Sequence, residues 1–196
     1  MLSIIPEPSL LPWLLHEQSL TEKLRNACGD AQLEVLNQRW QLPDHWDQSV
    51  LKLRSADNSD LTEKPRDVAL GIMNCQQPLD TASVMHREIL MRAFDAPCWY
   101  ARTILPLTTF NANATLFARL KTEPLGHLIF NGTQIQRASL QHYCISPASE
   151  EYGWLNESMH QGTEKLWVRL SEFIVNARDS FFLVEILLPG LSRYLS

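Results

Sequence analysis

"MHREILMRAFDAPCWYARTILPL", residues 85 to 107, decides the fold. Two apolar-rich runs flank Asp95-Ala96-Pro97, a break of the kind that ends one strand and starts its antiparallel neighbour. Strand alternation puts Arg87, Ile89, Met91 and Ala93 on one face and His86, Glu88, Leu90 and Arg92 on the other. The first face is apolar except for the arginine at its end. Arg87 is therefore expected to point inward or at the mouth of a cavity. "KLWVRLSEFIVNARDSFFLVEILLP", residues 165 to 189, repeats the pattern as a second hairpin turning at "NARD". Its second half is apolar enough to be buried on both faces, apart from Glu185. An ionised carboxylate there costs roughly several kcal/mol unless it is paired, hydrogen-bonded or protonated. Glu185 thus reads either as a member of a structural ion pair or sheet edge, or as a group facing a ligand.

Outward from the hairpins the chain alternates short helices and strands. "PSLLPWLLHE" (8–17) offers Ser9 ahead of an apolar run, with Pro12 acceptable in a first turn. In "SLTEKLRNACG" (19–29), Ser19 and Glu22 have capping-box spacing and Gly29 sits where a C-terminal glycine cap belongs. Residues 31–42 read as a strand, and "RSADNSDLTEKPRD" (54–67) as a polar surface loop. "NATLFARLKT" (113–122) reads as a short helix, Pro124 can start another helical turn, and 133–145 is strand-like. Residues 146–164, polar, acidic and aperiodic, read as a mobile loop or small excursion. Hairpins with short helices and no βαβ alternation predict an α+β fold around an antiparallel sheet.

At 196 residues, with 45% hydrophobic and 20% charged, the chain fits a single globular domain over 1–196. Net charge is −5 and no Lys/Arg cluster is visible, which argues against a nucleic-acid partner. None of the seven glycines falls in a GxGxxG or GxxxxGK arrangement, so no nucleotide cofactor is expected. The four cysteines are scattered without a CxxC pair, and the six histidines show no HExxH spacing; neither a disulfide frame nor a metal site is expected. No run of about 18 apolar residues is available for a membrane span. The first basic residue is Lys23, too late for a secretory signal, so a cytoplasmic location is expected.

Arg87 and Glu185, one on each hairpin, are the two charges in apolar strand surroundings. If both face one cavity, it holds a planar fork that fits a carboxylate bidentately and an acid or base beside it. The competing reading is that they pair with each other as a buried bridge.

"WLLHEQSLTEKL", "REILMRAFDAPCWYARTILPLTTF", "KTEPLGHLIF" and "FFLVEILLPG" resemble, in this order, four segments of the chorismate pyruvate-lyase family. That resemblance implies a six-stranded antiparallel sheet with short helices forming lids over a buried pocket. It also implies a cofactor-free enzyme, expected to be monomeric, that removes pyruvate from chorismate to leave 4-hydroxybenzoate, the aromatic precursor of ubiquinone. The family's arginine for the ring carboxylate falls on Arg87, and its glutamate at the hydroxyl end of the product falls on Glu185. Backbone contacts fall on Leu20, in place of the methionine typical of the family, and on Leu125, followed by Gly126. The chain departs from the family in the stretches near 54–82 and 146–164, which look longer. A ligand-binding module of the same fold, without chemistry, is the rival reading.

Overall fold

A computed structural model of the chain describes residues 5–55, 82–121 and 125–195. The loop expected at 54–67, Cys75 and Pro124 therefore lie wholly or largely outside the described residues. Six strands form one antiparallel sheet in the order β1-β2-β3-β6-β5-β4: β1 Gln32–Gln41, β2 Val84–Ala93, β3 Ala96–Pro106, β4 Ile135–Ile145, β5 Leu166–Val175 and β6 Asp179–Leu187. This is the α+β, six-stranded antiparallel fold that the hairpins and the resemblance predict. The helices are short: α1 Leu11–Leu14, α2 Leu20–Cys28, α3 His45–Ser55, α4 Leu107–Ala112, α5 Ala114–Ala118, α6 Leu125–Phe130 and α7 Glu157–His160.

Local chemistry explains the elements. The Ser19 hydroxyl accepts from the Glu22 N–H, and Gly29 closes α2 with φ 78°, a conformation that side chains resist. The β2–β3 turn is Phe94–Asp95, with Ala93 paired to Ala96, so the break falls one residue earlier than "DAP" suggests. Pro97 is accommodated within β3 beside the register shift at Met91/Arg92, where the ladder is already interrupted. At the second hairpin Asn176 and Ala177 take positive φ, and the Arg178 N–H closes the turn onto the Val175 carbonyl.

Two elements differ from the sequence reading. Residues 146–164 are not a loose loop: a 3-10 segment Glu150–Trp154 and α7 pack Leu155 and Met159 into the core. Its apolar residues follow no helical or strand period, which hid them. Helix α3 was not anticipated. Its start is held by Asp44 and Asp47, whose carboxylates each accept the other's backbone N–H, a reciprocal cap written with aspartates.

Strand register sorts the sheet into two faces. One face carries Val84, Leu90, Tyr100, Ile104, Val168, Val184 and Ile186, covered by α3 and the 150–160 segment. The other carries two separate apolar clusters. One joins Trp13, Leu14, Leu20 and Leu24 to Ile89, Met91 and Trp99; the other joins Phe117, Leu125, Leu128 and Ile129 to Met85, Leu105, Phe173 and Phe181. The rungs between these clusters hold polar side chains, Arg87 and Thr103 on one and Glu185 and Arg169 on the next. Apolar packing is interrupted along that seam.

Candidate active site

A cavity of about 300 Å³ opens at the seam. Leu20 and Thr21 of α2 and Leu125, Gly126 and Ile129 of α6 line it from above, and Arg87, Ile89, Met91, Trp99, Ala101, Thr103, Leu183 and Glu185 form its sheet floor. All five residues singled out from sequence, Leu20, Arg87, Leu125, Gly126 and Glu185, therefore line one cavity. The volume falls at the lower end of the range for small-molecule pockets.

Arg87 is 6% exposed, and its Nε has no hydrogen-bond partner among the described residues. Burial lowers its pKa, because the low-polarity walls disfavour the charged form. Register places Arg87 and Glu185 two strand spacings and two residues apart, so their Cα atoms are roughly 12 Å from one another. The two do not pair. Glu185 instead meets Arg169, its direct neighbour on β5, with Nη1 to Oε2 at 2.9 Å. Those two atoms also remain without a hydrogen bond, so the charges are in contact while the angle is poor. Each keeps hydrogen-bonding capacity in a buried position. Arg169 is completely buried, and its Nη2 donates to the His16 carbonyl, tying the sheet to the link between α1 and α2.

Arg169 was not singled out from the sequence, although the rule that found Glu185 applies to it: a charge inside the apolar run "LWVRL". Arg137 of β4 is a further cation lining the cavity, with Arg25 at its exposed rim. It lies in the polar strand "IQRASLQ", where nothing distinguishes it. Its guanidinium lies over the rings of Phe173 (5.0 Å to the centroid) and Phe130 (5.6 Å), and Nη1 donates to the Glu17 carbonyl.

On the opposite face Asp44, Asp47 and His86 gather donor atoms within 4.8 Å of one another, a cluster that the dispersed sequence positions did not reveal. His86 Nε2 lies 2.8 Å from Asp47 Oδ2, and Arg102 Nη1 lies 3.4 Å from Asp44 Oδ2. Arg102 also stacks over Trp154 at 3.8 Å, so these charges have partners within the α3 interface.

Fold and cavity together define an α+β domain in which short helices close a cation-rich, small-molecule-sized chamber against an antiparallel sheet. Residues 2–193 match the family model described as chorismate lyase, and the chain belongs to that family. Among curated proteins it is similar to the "Probable chorismate pyruvate-lyase" of Pseudoalteromonas atlantica, 27% identical over 190 residues covering 97% of this chain and 84% of the relative. A protein of the same name from Aromatoleum aromaticum is 27% identical over 184 residues, covering 93% of this chain and 85% of the relative. Among solved structures, the ligand-binding domain of a GntR-family transcriptional regulator from Bordetella bronchiseptica aligns over 82% of this chain and 84% of that one, with 14% identity and a TM-score of 0.47. Among the described residues no helix is long and apolar enough to cross a membrane.

Proposed function

We propose that the protein is a chorismate pyruvate-lyase, converting chorismate to 4-hydroxybenzoate and pyruvate and so supplying the ring of ubiquinone. The observation that carries the reading is one cavity lined by both Arg87, with an unspent buried donor, and Glu185, in a chain of the chorismate lyase family. The Arg87 guanidinium would grip the ring carboxylate, and the apolar walls would strengthen that grip by excluding water. Glu185 would accept a hydrogen bond from the 4-hydroxyl, two strands away.

The chemistry asks little of the protein. The C3–O bond breaks and its electron pair leaves with the enolpyruvate oxygen. The C4–H electrons enter the ring, and the released proton ends on the methylene carbon as the enolate becomes pyruvate. Aromatisation drives the step, so holding the substrate in a reactive conformer away from water is the main task. Glu185 would stand beside the C4 substituents and there orient the hydroxyl or receive the proton. Leu20 and Leu125–Gly126 would contact the ring from the two lid helices.

We further read the protein as a cofactor-free, single-domain monomer of the cytoplasm. The free thiols of Cys28, Cys98 and Cys144 suit a reducing compartment. Incubation with chorismate should release 4-hydroxybenzoate and pyruvate in equal amounts, and exhaustive chelation should leave the rate unchanged. Binding of 4-hydroxybenzoate without turnover of chorismate would instead mark a non-catalytic binding module.

A further inference from the structure

We propose that Arg137 binds the second carboxylate of the substrate, so that the cavity is built for a dianion held between Arg87 and Arg137. This inference rests on the chorismate reading and extends it to the enolpyruvyl end of the molecule.

Charge is the first argument. Behind the exposed rim residues Glu22 and Arg25, the cavity is lined by Arg87, Arg137 and Glu185, and Glu185 is already in contact with the buried Arg169. With Glu185 taken up by Arg169, the guanidinium groups of Arg87 and Arg137 leave the cavity wall with an excess of positive charge. Uncompensated like charges at such positions are costly, and a ligand that neutralises them recovers that cost. The burden shows on Arg137, whose pKa is lowered by burial first and by repulsion from Arg169 next; attraction from Glu185 and from Glu17 does not offset these. A monoanion satisfies half of the excess and a dianion all of it.

Geometry is the second. Arg87 lies on β2 and Arg137 on β4, with β3, β6 and β5 between them, four spacings or roughly 19 Å along the sheet. Both side chains line one common cavity. Glu185, on β6, lies between the two in strand order. With the ring carboxylate on Arg87 and the hydroxyl at Glu185, the ether group on the adjacent ring carbon leaves near Glu185. Ile129 and Phe130 of α6 line the same cavity as Arg137, and the enolpyruvyl group would lie along them toward that guanidinium.

Readiness is the third. Arg137 is fixed by Phe130, Phe173 and the Glu17 carbonyl, yet its buried Nε has no partner. Its fork is held in place with a donor unspent, as a preorganised carboxylate site requires. After the C3–O bond breaks, Arg137 would hold pyruvate while Arg87 holds the aromatic product, so the two products separate at two different anchors.

The test compares two ligands by calorimetry: 4-hydroxybenzoate, with one carboxylate, and 3-(1-carboxyvinyloxy)benzoate, a stable aromatic diacid. Arg137→Gln should weaken the diacid by about ten- to a hundredfold, the worth of a charged hydrogen-bonding pair, and leave 4-hydroxybenzoate nearly unchanged. Retained 4-hydroxybenzoate binding shows that the variant is folded. Arg137→Lys should recover part of the diacid affinity, and Arg87→Gln should weaken both ligands. Equal losses for the two ligands in Arg137→Gln, or no loss for the diacid, overturn the inference while leaving the chorismate reading intact. Wild-type protein that binds neither ligand and leaves chorismate unchanged refutes the chorismate reading, and this inference with it.

Discussion

Arg87 and Glu185 sit in the same cavity but face different electrostatic situations. Arg87 has an orphan Nε and forms no ion pair among the described residues, whereas Glu185 already touches Arg169 at 2.9 Å. Substitutions should separate accordingly. Arg87→Lys keeps the charge and loses the planar fork, so affinity for 4-hydroxybenzoate falls modestly. Arg87→Ala should cost about 2–5 kcal/mol of binding, since the ligand carboxylate is then buried alone. Glu185→Gln should still bind product in calorimetry. Its turnover should fall by about 10²-fold or more if the carboxylate receives the C4 proton, and far less if it only orients the hydroxyl. A further residue-scale effect concerns His16, whose pKa is lowered from 6.5 by burial, then by Lys23 and Arg169, with a smaller push from Arg137. The folded state disfavours the protonated ring, so its contribution to stability is complete above 6.5. That contribution is lost as pH falls through 6.5 toward the lowered folded value. Melting temperature should drop between pH 7 and pH 5 by more in the wild type than in His16→Gln; equal drops would remove His16 from the account.

At the scale of elements, the lids are the helices least able to stand alone. Helices of nine residues (α2) and six (α6) are well below the length that is stable in water, so packing over the cavity holds them in place. They meet above it: a Cβ on Gly126 would lie 3.8 Å from the Ser19 hydroxyl, an ordinary contact. If both helices must open for release, amide exchange over residues 16–28 and 125–130 should slow when 4-hydroxybenzoate binds. Unchanged exchange in both segments would reduce Leu20 and Leu125 to ordinary core residues. The same elements show how much was legible in the sequence. Both hairpins could be read from alternation, α2 from its caps, and Arg87 and Glu185 from being charges where the pattern wanted apolar residues. Arg169 obeys that last rule too, but its role depends on Glu185, which strand pairing rather than its own strand's pattern brings beside it. Arg137 could not be read at all: its strand is polar and lies at the sheet edge, and only strand order brings it to the cavity. Helix α3 and the 150–160 segment carried no period because each buries a few aromatic side chains, Trp46, Tyr152 and Trp154, rather than a continuous stripe.

At the scale of the whole molecule, the cavity is a place where the sheet gives up stability. A seam filled with apolar side chains would fuse the two clusters on that face into one core; in its place stand a buried ion pair with imperfect hydrogen-bond geometry and an arginine with no ion-pair partner among the described residues. Buried pairs contribute little net stability, yet breaking one leaves an uncompensated charge. Arg169→Met should therefore destabilise strongly, by about 3–5 kcal/mol, because Glu185 then loses its cation and His16 its donor. Adding Glu185→Leu to that variant removes the stranded charge and should restore most of the loss, even though it takes away a second native group. The double variant should fold with near-native stability in denaturant titrations and turn over no chorismate. Recovery of stability without recovery of activity would identify the Arg169–Glu185 pair as a functional feature that the fold tolerates. A double variant as unstable as Arg169→Met alone would mean that the pair, with its tie from β5 to His16, is needed to hold the sheet to its lids.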